Sequence, residues 1–197
     1  MQALGSHYGI LAGERGETIS ESASRSSLYL TSLSGAVIGL SFVAQASKFG
    51  DSFFIFALAI LPVVFFLGVV TYYRNLQTGV EYVLCAQTMA RIRSFYAEID
   101  PNRADLFRQM TLQRVGIRPG GLFSRLWWQQ FLTAAAMIAI VNSVVGGVFI
   151  ALLMTYSFNE GPSLGIAIGI GAAAIIGLAL LRHQWATMME VAKALAQ

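Results

Sequence analysis

Four stretches of this chain, roughly 28–46, 53–73, 127–157 and 163–181, contain no aspartate, glutamate, lysine, arginine or histidine. Each is near or above the ~20 apolar residues that carry a helix across the hydrocarbon core of a bilayer. In lipid every backbone N–H and C=O must be satisfied within the segment, and a helix does this for a continuous apolar run. Composition agrees, because 56% of residues are hydrophobic and only 12% charged, against about a quarter charged in soluble domains. The expected fold is all-α: a polytopic membrane protein with four transmembrane helices, arranged as two hairpins with a cytosolic helical hairpin between them.

The charges fix the expected topology. Eight of the thirteen Lys/Arg residues fall between Arg74 and Arg125, and the turns expected at 47–52 and 157–163 hold only Lys48. Basic residues beside membrane spans favour the cytoplasmic side, so both termini are expected in the cytoplasm. The expected layout is a cytosolic tail (1–27), a first transmembrane hairpin (28–73) and a basic cytosolic helical hairpin (74–125). A second transmembrane hairpin (126–182) and a cytosolic C-terminal helix (183–197) follow. The tail is polar and slightly acidic and lacks the apolar core of a secretory signal, so it is expected to be flexible or partly helical.

Polar residues in the first run are not scattered. Ser27, Thr31, Ser34, Ser41 and Gln45 share one helical face, interrupted by Ile38. Such a stripe either lines a water-filled pore or packs against another helix, since hydroxyls bond their own backbone or a neighbour. Gly35 and Gly39 form a G-x-x-x-G pair on an adjoining face. In the second run Pro62 interrupts the backbone ladder, and Tyr72, Tyr73 and Arg74 resemble an interfacial anchor. The third run places Asn142 near its centre, where a polar side chain faces a partner helix or a cavity. In the fourth, Gly165, Gly169, Ala173 and Gly177 recur every four residues, a ridge for close helix approach.

Beyond Arg74 the helical pattern continues. Tyr82, Cys85, Met89, Ile92, Tyr96 and Ile99 alternate at spacings of three and four, a coiled-coil-like seam that needs a partner. If Gly79 is tolerated, one helix of roughly 70 Å runs from the second span to Ile99. Asp100-Pro101 reads as a stop and restart, with a further helix near 102–115 whose Leu106 and Met110 would pack on Met89, Ile92 and Tyr96. Trp127 and Trp128 sit where an aromatic belt belongs. Glu81-Tyr82, Ala90-Arg91-Ile92-Arg93-Ser94-Phe95-Tyr96 and Asp100-Pro101 together resemble a segment of uncharacterised bacterial four-transmembrane-helix membrane proteins. The resemblance covers 81–101 and implies a bacterial cytoplasmic (inner) membrane protein with this topology, without implying an activity.

No enzyme constellation is legible. The chain lacks G-x-x-x-x-G-K-[ST], a G-x-G-x-x-G between strand and helix, and H-E-x-x-H. Its single cysteine, Cys85, excludes an internal disulfide framework, and neither a cofactor nor a metal is expected. Charge-free spans argue against a proton relay, but a pore of hydroxyls, amides and apolar gates needs no charge. The leading reading is a homo-oligomeric ion channel or pore-forming protein gated through its cytosolic helices. Thr31, Ser34, Ser41, Gln45 and Asn142 are its pore-lining candidates. The alternative is a non-conducting sensor or scaffold, within a bacterial defence system as one special case. In the channel reading Arg91, Arg93, Arg103 and Arg108 would meet a small anionic ligand or the headgroups of membrane lipids, and in the alternative a cytosolic protein. Topology accounts for the basic charge, so nucleic acid is not expected as a partner.

Overall fold

The computed structural model describes residues 2–99, 133–157 and 162–195. Among the described residues everything regular is helical: α1 (Gln2–Ser47), α2 (Asp51–Ile99), α3 (Ala134–Ser157) and α4 (Pro162–Leu195), with no strand. Each contains a window long and apolar enough to cross a membrane. Asp100-Pro101, the helix expected at 102–115, the Trp127–Trp128 pair and the turn at 158–161 lie outside the described residues.

Three of these helices exceed the apolar runs that announced them, α4 by continuing past 181 to Leu195. The helix α2 continues through Pro62 and Gly79 to Ile99, so the seam is an extension of the second apolar run. The helix α1 begins at Gln2, twenty-odd residues ahead of its apolar run, where the sequence suggested a flexible or partly helical tail. An isolated polar helix of that length is marginal in water, and tertiary contact normally decides its fate.

The chain folds as two compact units. In the first, residues 2–22 of α1 meet 77–99 of α2. The guanidinium of Arg15 lies 4.3 Å above the ring of Tyr82 and also hydrogen-bonds its hydroxyl. The backbone at Gly5 approaches the Tyr96 hydroxyl. Tyr8, Leu11, Arg15, Thr18 and Ser22 are the shielded positions of this part of α1, at spacings of three and four. Among the described residues of this unit, Leu11 and Met89 are the buried apolar ones. The N-terminal segment thus contacts the seam, and that contact holds a polar stretch helical. Leu106 and Met110, the partners expected from the sequence, lie outside the described residues.

The second unit comprises 23–76 and 133–195. Its core is built from Tyr29 of α1, Ala57, Leu61, Val64, Tyr72 and Leu76 of α2, and Ala135, Ile138, Ala139 and Val145 of α3. Leu180 and Met188 of α4 pack against this core. The third and fourth helices touch through backbone. A Cβ built at Gly147 falls 2.6 Å from the Gly169 carbonyl oxygen, and one at Gly169 falls 2.6 Å from that of Gly147. Gly165 meets Ala151 and Thr155, and Gly177 meets Ser143. At Gly165 and Gly169 the four-residue ridge of α4 leaves no room for a side chain, and Ala173 sets its methyl against Gly147. On α1 the ring of Phe56 lies over Gly39, whereas Gly35 faces open space.

A short turn joins α1 to α2. Phe49 N–H donates to the Ala44 carbonyl at 3.1 Å, and Lys48 (φ 50°) is left-handed. This is a Schellman-type C-cap with Ser47 as the cap residue. The position usually given to glycine carries lysine, and Phe49 (φ 59°) is left-handed as well. Each such non-glycine residue costs roughly 1–2 kcal/mol. At the start of α3, Thr133 caps the helix, its Oγ accepting the Ala136 N–H at 3.2 Å.

Candidate functional site

Polar side chains in the second unit fall into two sets, one facing outward and one enclosed. The outward set is the stripe on α1. Thr31, Ser34, Ser41 and Gln45 are all exposed, as is Ile38 between them. Ser41 Oγ donates to the Val37 carbonyl at 2.8 Å, and on the neighbouring face Ser32 Oγ donates to Leu28 at 2.9 Å. These hydroxyls therefore reduce their polarity against their own helix. Gln45 carries a primary amide with two donors and an acceptor.

The enclosed set centres on Asn142, whose side chain is fully buried. The Tyr29 hydroxyl of α1 donates to Asn142 Oδ1 at 3.3 Å. Gly68 of α2 lies against the same amide. A Cβ there would overlap Oδ1 and the amide carbon and would lie 2.9 Å from Tyr29 Cε2. The Cα–H that such a Cβ would replace therefore points at Oδ1, a weak hydrogen-bond geometry. Asn142 Nδ2 is buried without a hydrogen-bond partner among the described residues. Three helices meet at this point, joining α1, α2 and α3 through one residue each. Asn142 lies inside the unit, while the stripe on α1 lies on its outside. The structure does not bring the five pore-lining candidates together within one chain.

A belt of polar contacts lies toward the 26/75 end of the unit. Asn75 Nδ2 donates to Ser26 Oγ at 2.9 Å, leaving its buried Oδ1 without a partner among the described residues. Gln184 Nε2 donates to Thr133 Oγ at 2.9 Å, which ties α4 to the cap of α3. The Tyr72 hydroxyl donates to the Leu180 carbonyl at 2.6 Å and lies 3.3 Å from His183 Nδ1. Sequence reasoning singled out Asn142 by its depth but missed Tyr29, Gly68, Asn75 and Gln184. Only the helical periods of the separate runs bore on them, and periods do not say which helix faces which.

In the first unit Arg91 is exposed, while Arg93 is half-buried and its Nε donates to the Met89 carbonyl at 3.3 Å. Arg103 and Arg108 lie outside the described residues. Among the described residues, no group of three or more histidine, cysteine, aspartate or glutamate side chains is placed to hold a metal. Comparison with protein-family models, curated proteins and solved structures gives no match for this chain.

Proposed function

We propose that this chain is a homo-oligomeric membrane pore in which α1 of each copy faces the shared pathway. Four helices able to cross a membrane make it a candidate multi-pass protein. The observation that carries the pore reading is the exposed stripe of Thr31, Ser34, Ser41 and Gln45 within the otherwise apolar 28–46 stretch of α1. A polar face directed at lipid is costly, and copies arranged around an axis would give it water or a partner. Among the described residues Asn142, Tyr29 and Tyr72 fill the interior of the second unit, so the pathway would lie between copies. Hydroxyls and an amide would pass small ions with little charge preference, and Ile38 would supply an apolar constriction able to gate by dewetting.

In this reading the helices form two hairpins in a bacterial inner membrane. Both termini and the basic 74–125 region lie on the cytoplasmic side, and twelve of thirteen Lys/Arg residues support that orientation. Gating would act through the pairing of 2–22 with 77–99, since α1 and α2 run unbroken from those segments into the spans. Single-channel recording of purified protein in planar bilayers tests the proposal. Thr31→Leu with Ser34→Leu should lower unitary conductance, while Asn142→Leu should leave it unchanged. An intact oligomer with no conductance at any voltage or ligand overturns the pore. That result favours a non-conducting sensor or scaffold, a reading supported by Ser41, whose hydroxyl is already satisfied by its own helix.

A further inference from the structure

The helices α2 and α4 of the second unit carry matching exposed stripes. On α2 these are Phe66, Val70 and Tyr73, and on α4 Ile175, Leu178 and Arg182. Both stripes are apolar until their last member. They end where the helices touch, with the ring of Tyr73 edge-on to His183 at 5.3 Å between centroids. Arg74, Arg182 and His183 are all exposed at this end. We infer that these two stripes bind one anionic phospholipid, with its phosphate at Arg182, His183 and Tyr73 and its acyl chains along the apolar residues.

The hydrogen-bonding of His183 supports this assignment. A tyrosine hydroxyl has one proton, and that of Tyr72 is committed to the Leu180 carbonyl at 2.6 Å. The 3.3 Å contact with His183 Nδ1 is therefore Nδ1–H donating to the Tyr72 oxygen. This fixes the ring and leaves Nε2 on the open side. Held this way, the ring has its second nitrogen left for a headgroup. Arg182 adds a permanent charge and a donor fork suited to phosphate. The Tyr73 ring supplies the amphipathic surface usual at headgroup depth. A free anion would use the charges alone, whereas a lipid also uses the exposed apolar residues that lead up to them.

This inference rests on reading the helices as membrane spans, and its test separates the two. Full-length protein, purified in detergent, is titrated with phosphatidylglycerol or phosphatidylcholine and bound lipid is counted by native mass spectrometry. Phosphatidylglycerol should be retained preferentially. The Arg182→Gln/His183→Gln variant should lose that preference by roughly fivefold or more, the guanidinium alone contributing about that factor. Arg182→Lys should keep most of it, and Lys48→Gln should change nothing. Equal helicity of the variants by circular dichroism establishes that they fold. Equal retention of both lipids, or no effect of the double substitution, overturns the inference. Displacement of phosphatidylglycerol by excess inorganic phosphate overturns the lipid in favour of a soluble anion. Carbonate extraction of membranes reports on the spans separately. Release of the protein into the supernatant overturns the membrane reading, whereas retention without lipid preference overturns only the site.

Discussion

Replacing Gly169 by alanine tests the close approach of α3 and α4. The new Cβ falls 2.6 Å from both the Gly147 carbonyl oxygen and the Ala151 Cβ, roughly 1 Å short of comfortable contact. Neither obstacle is the end of a flexible side chain, so the helices must separate. A gap of that size forfeits a quarter to a half of each dispersion contact along the seam, and overpacking of this kind costs about 1–3 kcal/mol. Gly171 is the internal control, because it lies on the same helix with nothing within 4 Å of an added Cβ. There alanine removes only the glycine penalty, a gain of at most about 1 kcal/mol. Comparing the two variants cancels helix propensity and should leave the overpacking cost alone, roughly 1–3 kcal/mol. The assay is equilibrium unfolding in mixed micelles, followed by circular dichroism. The double variant Gly147→Ala/Gly169→Ala should cost less than the sum of its parts, because one separation accommodates both methyls. If Gly169→Ala and Gly171→Ala unfold at the same denaturant concentration, the backbone contact contributes nothing and the packing described above is wrong.

Further perturbations follow from the other contacts. Tyr29→Phe and Asn142→Leu should couple by only about 0.6 kcal/mol in a double-mutant cycle in micelles, the usual size of such membrane hydrogen bonds. A coupling near zero would show that the 3.3 Å contact is not a bond. Gly68→Ala should destabilise more than either, by about 1–3 kcal/mol, because its methyl displaces both side chains. Unchanged stability there would contradict the three-helix junction. Tyr82→Leu should loosen residues 8–18 of α1 by about 0.5–1 kcal/mol, read as faster hydrogen exchange in that segment alone. Lys48→Gly should stabilise the protein by about 1 kcal/mol in the same unfolding assay, by relieving a left-handed residue.

The four helices able to cross a membrane were legible because lipid imposes a length and forbids charge, and both are properties of single segments. The extension of α2 to Ile99 was legible for a similar reason: Tyr82, Met89 and Tyr96 repeat with a period that belongs to one helix. The partner of that seam was not. Tyr8, Leu11, Arg15, Thr18 and Ser22 have the matching spacing but are mostly polar, so a search for apolar periodicity passes over them. The Arg15–Tyr82 contact is electrostatic as much as apolar, and its members are 67 positions apart. Asn142 stood out through depth alone. Gly68 did not, since a glycine inside an apolar run looks the same whether it faces lipid or a buried amide. The stripe on α1 was visible as a stripe, but the sequence did not say that it would face outward while Asn142 faced inward.

The turn at Ser47–Asp51 also has a kinetic meaning. Contacts between α1 and α2 grow more distant along the chain on leaving it, to 49 positions at Ser26–Asn75 and 67 at Arg15–Tyr82. Closing such loops directly costs entropy that rises with length, by about 0.6 kcal/mol per doubling. Closing them in succession from the turn requires only short extensions of a pair already formed. Folding would then proceed as a zipper whose first tooth is a strained lysine and phenylalanine. In a chain made from its N-terminus, the first twenty residues of α1 must wait for their partners until α2 is nearly complete.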